Sequence, residues 1–134
     1  MGVKGAPHRI EEPYPIDYVK RPASDITINA LISESFQSAK DKGWWDQELN
    51  IGEKLALIHS EISEALEEYR SHGEQKQYVR ESDKKPEGFV FELADTVIRI
   101  ADLCGGLNLD LEKALHTKMI FNRTRPYRHG NKKI

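Results

Sequence analysis

Residues 55–69 read Leu55-Ala56-Leu57-Ile58-His59-Ser60-Glu61-Ile62-Ser63-Glu64-Ala65-Leu66-Glu67-Glu68-Tyr69. Leu55, Ile58, Ile62, Leu66 and Tyr69 recur three and four apart, the spacing that lines one face of an α-helix. Asn50 and Glu53 stand ahead of them as a capping box, so a helix is expected over residues 52–70. With Glu61 at zero on a helical wheel of about 100° per residue, Lys54, Leu57, Glu64 and Glu68 fall within about 60° of it. The acids therefore belong to the shoulder of the buried face, while Ser63, Glu67 and Arg70 lie opposite. Glu61 and Glu64 stack one turn apart.

A second pair of this kind follows in Glu92-Leu93-Ala94-Asp95. It sits in a segment expected to be helical over residues 88–104 and to stop at Gly105-Gly106. Phe89, Leu93, Val97, Ile100 and Cys104 make one apolar face. Phe91, Ala94, Ile98 and Ala101 make another, with Glu92, Asp95, Arg99 and Asp102 as a polar stripe between them. A helix apolar on two sides is expected at the centre of a bundle or at a subunit interface, with its acids partly desolvated. Four carboxylates gathered in a helical core repel one another unless a hard divalent cation lies between them. Oxygen ligands without His or Cys favour Mg²⁺ or Mn²⁺ over zinc.

Further out, Ile28, Leu31, Ile32 and Ala39 predict a helix over 26–42 capped by Ser24 or Asp25 and ended by Gly43. The Gly43-Trp44-Trp45-Asp46 loop offers two indoles, as packing anchors or as a face for a nucleobase. Residues 71–88 read as a polar loop with a short helical piece around Gln75–Arg80. A fourth helix is expected over 109–122, capped by Asn108, with Leu111, Ala114, Leu115 and Met119 packing inward. From Lys113 to the end there is no Asp or Glu, against seven Lys and Arg. Lys118, Arg125, Arg128 and Lys132, with Asn122 as a neutral donor, read as a clamp for phosphate oxygens. Residues 1–25 hold four of the six prolines and read as an extended arm, leaving one helical domain over 26–134.

The bulk numbers exclude more than they assign. A chain of 134 residues is one domain. A net charge of −2 gives no global field for nucleic acid. The single cysteine, Cys104, allows no intrachain disulfide and reads as a small packing residue. No apolar run has the length of a membrane span, and Ala6 breaks the myristoylation pattern begun by Met1-Gly2. A soluble cytoplasmic protein is expected, with no membrane partner and no nucleic acid.

These residues resemble the MazG-like all-α NTP pyrophosphatases, whose motif is ExxE followed by ExxD, each on its own helix. Here the motif falls on Glu61/Glu64 and Glu92/Asp95, with 27 residues between. Leu57-Ile58-His59-Ser60, Ala65-Leu66-Glu67-Glu68-Tyr69-Arg70, Thr96-Val97-Ile98-Arg99-Ile100 and the ending Lys118…Asn122…Arg125-Pro126-Tyr127…His129-Gly130 are also similar, so the resemblance covers roughly 27–131. It implies an all-α four-helix bundle completed by dimerisation, as a homodimer or a tetramer. It also implies Mg²⁺-dependent cleavage of a nucleoside triphosphate between its α and β phosphates, giving a monophosphate and pyrophosphate. Glu61, Glu64, Glu92 and Asp95 would then bind metal. Lys118, Asn122 and Arg125 would hold phosphate or sugar, and Trp44 or Trp45 the base, with Lys54, Tyr127 and Arg128 as further substrate-binding candidates. Ser60 stands where some relatives carry a further acid, so water activation passes to Glu61 or Glu68, or to the metal alone, and Glu61, Glu64 and Glu68 form the expected catalytic set. The contrasting expectation is a helical interaction module that binds nucleic acid or an acidic partner through its basic end.

Overall fold

The computed structural model describes residues 26–131 and 133, so the proline-rich arm expected over 1–25 lies outside the described residues, as does Lys132. The fold is mostly helical. Four long helices run in order as α1 (Ile28–Asp41), α2 (Ile51–His72), α3 (Phe89–Gly106) and α4 (Leu111–Thr124), followed by a single turn, α5 (Arg128–Asn131). Between α2 and α3 stands a two-stranded antiparallel hairpin of β1 (Tyr78–Val79) and β2 (Pro86–Glu87), with Tyr78 opposite Glu87.

The helix starts follow capping chemistry. Thr27 Oγ1 accepts from the Ala30 N–H and Asn50 Oδ1 from the Glu53 N–H, each satisfying a donor that the first helical turn leaves over. Two expected boundaries move. The cap of α1 is Thr27, not Ser24 or Asp25. The cap of α4 is Asp110, whose side chain accepts from the Lys113 N–H. Asn108 instead adopts a left-handed φ of 53° in the α3–α4 connection.

Two further expectations are corrected. The piece around Gln75–Arg80 is not helical, because Tyr78 and Val79 pair with the strand that leads into α3. Gly105 and Gly106 do not stop α3, which runs through both. Their role is close approach. A Cβ on Gly106 would lie 2.0 Å from Trp45 Cη2, and one on Gly105 would lie 2.6 Å from Phe36 Cβ. The indole of Trp45 meets Phe36 edge-to-face at 5.3 Å, and its Nε1 donates to Asp102 Oδ1 at 2.7 Å. Missing side chains on α3 thus admit the aromatic pair that fastens α1 and the Trp loop to it.

Helix α3 is central, packed on α1 and on α2, whereas α4 touches α1 sparsely. One link is Asn29 Nδ2 donating to Glu112 Oε2 at 2.6 Å. Leu115, Met119, Ile120 and Phe121 are all exposed, contrary to the expectation that α4 packs inward as the fourth member of a bundle. The described chain is three packed helices with a fourth standing apart. No helix among the described residues is long and apolar enough to cross a membrane.

Candidate functional site

The interior of the packed trio is small and polar. Ala65, Ala101 and Leu103 are its buried apolar residues, and beside them Ser35, Glu61, Glu92 and Thr96 are buried as well. Helix α2 turns Glu61 and Ala65 toward α3, while Leu55, Ile62, Leu66 and Tyr69 on its apolar stripe stay about half exposed. The stripe that defines the helix in the sequence is therefore not the face the chain buries. The face of the acids is.

Glu61, Glu92 and Asp95 converge, with one carboxylate oxygen of each within 4.8 Å of the others. Arg99, one turn beyond Asp95, donates from Nε to Glu61 Oε1 at 2.5 Å. Lys85, from the hairpin, brings Nζ to 3.8 Å from Glu92 Oε1. Glu92 is only 3% exposed, and its Oε2 has no hydrogen-bond partner among the described residues. A buried carboxylate oxygen without a donor is costly by about 1–3 kcal/mol, and more when ionised. Burial pushes the Glu92 carboxyl up to about 7, against the opposing pull of Lys85 and with a further push from a side-chain hydrogen bond to Glu64 and from the charges of Glu64 and Asp95. Burial also raises Asp95, helped by Glu61, while Lys85 and Arg99 oppose the rise.

Glu61, Asp95, Arg99 and Lys85 line a cleft of about 480 Å³ together with Glu64, Asp102, Lys54 and Trp44, whereas the more deeply buried Glu92 is not part of its lining. A smaller cleft of about 310 Å³ lies alongside and shares Trp44, Lys54 and Leu57. Glu64 lines the main cleft as an exposed residue but does not belong to the close trio. The indole of Trp44 is 66% exposed. Trp45 is committed to Phe36, Gly106 and Asp102, and Lys54 Nζ sits 4.4 Å over its ring.

The remaining expected site residues lie elsewhere. Glu68 faces the hairpin, where its carboxylate accepts from Tyr78 Oη at 2.7 Å and meets His72 Nδ1 at 3.1 Å. Burial and this carboxylate push the Tyr78 phenol well above its usual range, the hydrogen bond to Glu68 being the larger cause. Lys118, Asn122, Arg125, Tyr127 and Arg128 line neither cleft. Lys118 and Arg125 lie over the ring of Phe121, and Arg128 lies over Tyr127.

Lys85 and Asp102 were not singled out as ligand contacts by the sequence. Asp102 was legible as part of the polar stripe of α3. Lys85 carried no signal, because only the hairpin brings the loop back to the acids.

Among the described residues the donor set fits a hard divalent cation: three carboxylates, one with a buried oxygen that has no partner, and no Cys or His in the group. No protein-family profile, no curated protein and no solved structure matches this chain.

Proposed function

We propose that the chain is a metal-dependent nucleoside triphosphate pyrophosphohydrolase, in line with its resemblance to the MazG-like enzymes. One observation carries the reading: the deeply buried Glu92 carboxylate, with an oxygen that has no partner among the described residues, beside Glu61 and Asp95, which line a cleft. A fold that keeps such a group without a cation retains only its cost.

In this reading Glu61, Glu92 and Asp95 hold Mg²⁺ or Mn²⁺, which when bound neutralises phosphate charge and lowers the pKa of water. Arg99 fixes the Glu61 carboxylate for that purpose. Glu64, exposed in the same cleft, completes the acid set and accepts the proton of the attacking water. Water adds across the α–β anhydride, and the products are a monophosphate and pyrophosphate. The exposed Trp44 offers stacking to the base, and Lys54, held over the Trp45 ring, lines the same cleft. Glu68 is a positioning residue, since its contacts are the hairpin and His72. The half-exposed apolar stripes of α2 and α3, with the outlying α4, are covered in this reading by a second copy. Lys118, Asn122, Arg125, Tyr127 and Arg128 then serve substrate only across that interface.

The test is pyrophosphate release by purified protein from the common ribo- and deoxynucleoside triphosphates, with Mg²⁺ and with EDTA. Metal-dependent release that disappears in Glu61→Gln and Asp95→Asn, with the helical circular dichroism unchanged, is the expected result. An Asp95→Asn protein that turns over at the wild-type rate would sink the assignment.

The exposed basic end of α4, outside both clefts, supports a second reading as an interaction module for an acidic partner or nucleic acid. Salt-sensitive binding that persists in Asp95→Asn, with no turnover of any nucleotide, would favour it.

A further inference from the structure

Lys85 is not placed by chance. It follows a turn in which the Arg80 N–H donates to the Lys85 carbonyl at 2.8 Å and the Lys84 N–H to the Arg80 carbonyl at 2.8 Å. The Arg80 guanidinium grips Asp83 through two nitrogens, and Asp83 Oδ1 accepts from the Lys85 N–H at 3.2 Å. The base of the hairpin is held twice. Tyr78 donates to Glu68 on α2, and Gly88 fits only because it lacks a side chain. A Cβ there would lie 2.3 Å from the Lys76 carbonyl oxygen, and its φ of +134° suits glycine. This scaffold sets one ammonium between two acids, 3.8 Å from Glu92 Oε1 and 4.0 Å from Glu87 Oε1. Neither distance is that of a tight hydrogen bond, and the side chain is 38% exposed. The ammonium is therefore a loosely held counter-ion on a flexible stem, able to move within the cleft it lines.

We propose that Lys85 is a tethered cation that balances the acid trio when no metal is bound and binds the phosphates of the metal-held nucleotide when one is. The inference rests on the metal reading above and names the residue that answers metal entry. A divalent cation at Glu92 repels the ammonium, since like charges a few ångströms apart in a part-buried site are poorly screened. Glu87, 4.0 Å away, and the substrate phosphates are anions to which it can then turn. An ammonium suits phosphate as a point charge, without the fixed fork of a guanidinium.

Two titrations of the full chain test this by calorimetry: Mn²⁺ alone, then inorganic pyrophosphate into Mn²⁺-saturated protein. Lys85→Met removes the competitor and should bind Mn²⁺ about three- to tenfold tighter. The same variant should bind pyrophosphate about tenfold more weakly. Lys85→Arg, which keeps the charge, should not gain Mn²⁺ affinity. Lys85→Gln repeats the neutral case with a polar side chain, and thermal melts confirm the fold of each. Unchanged Mn²⁺ and pyrophosphate affinities in both neutral variants would overturn the role of Lys85 while leaving the metal site standing. Wild-type protein that takes up no Mn²⁺ would overturn the metal site and this inference together.

Discussion

Glu92 concentrates the chemistry of this chain at one atom. Its Oε2 is buried without a donor among the described residues, and its carboxyl is pushed up to about 7 mainly by burial. An acid whose folded pKa lies above its unfolded value binds more protons folded than unfolded in the interval between them. Its stabilising contribution is full below the unfolded value of about 4.3 and is lost as pH rises through about 7. In EDTA, the melting temperature should therefore fall between pH 5.5 and pH 8 by more in the wild type than in Glu92→Gln. At pH 8 the Gln variant should be the more stable, by about 1–3 kcal/mol. Mg²⁺ should reverse the order, raising the wild-type melting temperature and leaving the variant's unmoved. Thermal melts with and without Mg²⁺ read all of this, and a Gln variant less stable than wild type in EDTA at pH 8 would contradict it. Arg99 gives a second residue-scale prediction. Arg99→Met releases Glu61, and metal affinity measured by Mn²⁺ titration should change even though Arg99 ligates nothing. No change would mean that the 2.5 Å contact does not position Glu61.

Among the elements, the α3 terminus and the hairpin carry the site. Glycines within a helix normally weaken it, by about 1 kcal/mol each relative to alanine. In α3 the sign reverses, because the space above Gly106 holds the Trp45 indole. Gly106→Ala should destabilise the fold by about 1–3 kcal/mol despite the better helix propensity. It should also shift the tryptophan fluorescence, since Trp45 leaves Asp102. An alanine variant as stable as wild type, with unchanged emission, would show that the indole has room to spare. The hairpin is an element that no periodicity in residues 71–88 announces. It pairs only two residues per strand and is held by Glu68, Gly88 and the Arg80–Asp83 turn.

For the whole molecule, the notable quantity is the apolar surface left outside the described trio. Leu66 is 54% exposed, Val97 49%, Met119 58% and Phe121 53%, apolar side chains on three helices that the described residues leave uncovered. A second copy seated on these faces follows from the proposed function. Leu66→Glu and Met119→Glu should each lower the mass found by analytical ultracentrifugation toward 15.4 kDa. A wild-type protein already sedimenting at that mass would remove the shared-site role given to Lys118, Asn122 and Arg125.

Periodicity and chain chemistry by themselves determined the four long helices, the Asn50 cap and the two acidic pairs, because these depend on residues a turn apart. They also placed the acids beside the apolar stripe of α2, but that stripe stays about half exposed and the acids' own face is the buried one. Which face is buried, however, depends on what packs against the helix. Only the tertiary structure decided that Glu61 and Ala65 face α3 while Leu55, Ile62 and Leu66 do not. Residues 84–92 illustrate the same limit. Lys85 reaches Glu92 because a strand pairing folds the loop back, and strand pairs two residues long leave no pattern to read. The placement of α4 away from the cleft is likewise a matter of contacts between elements, which no local spacing encodes.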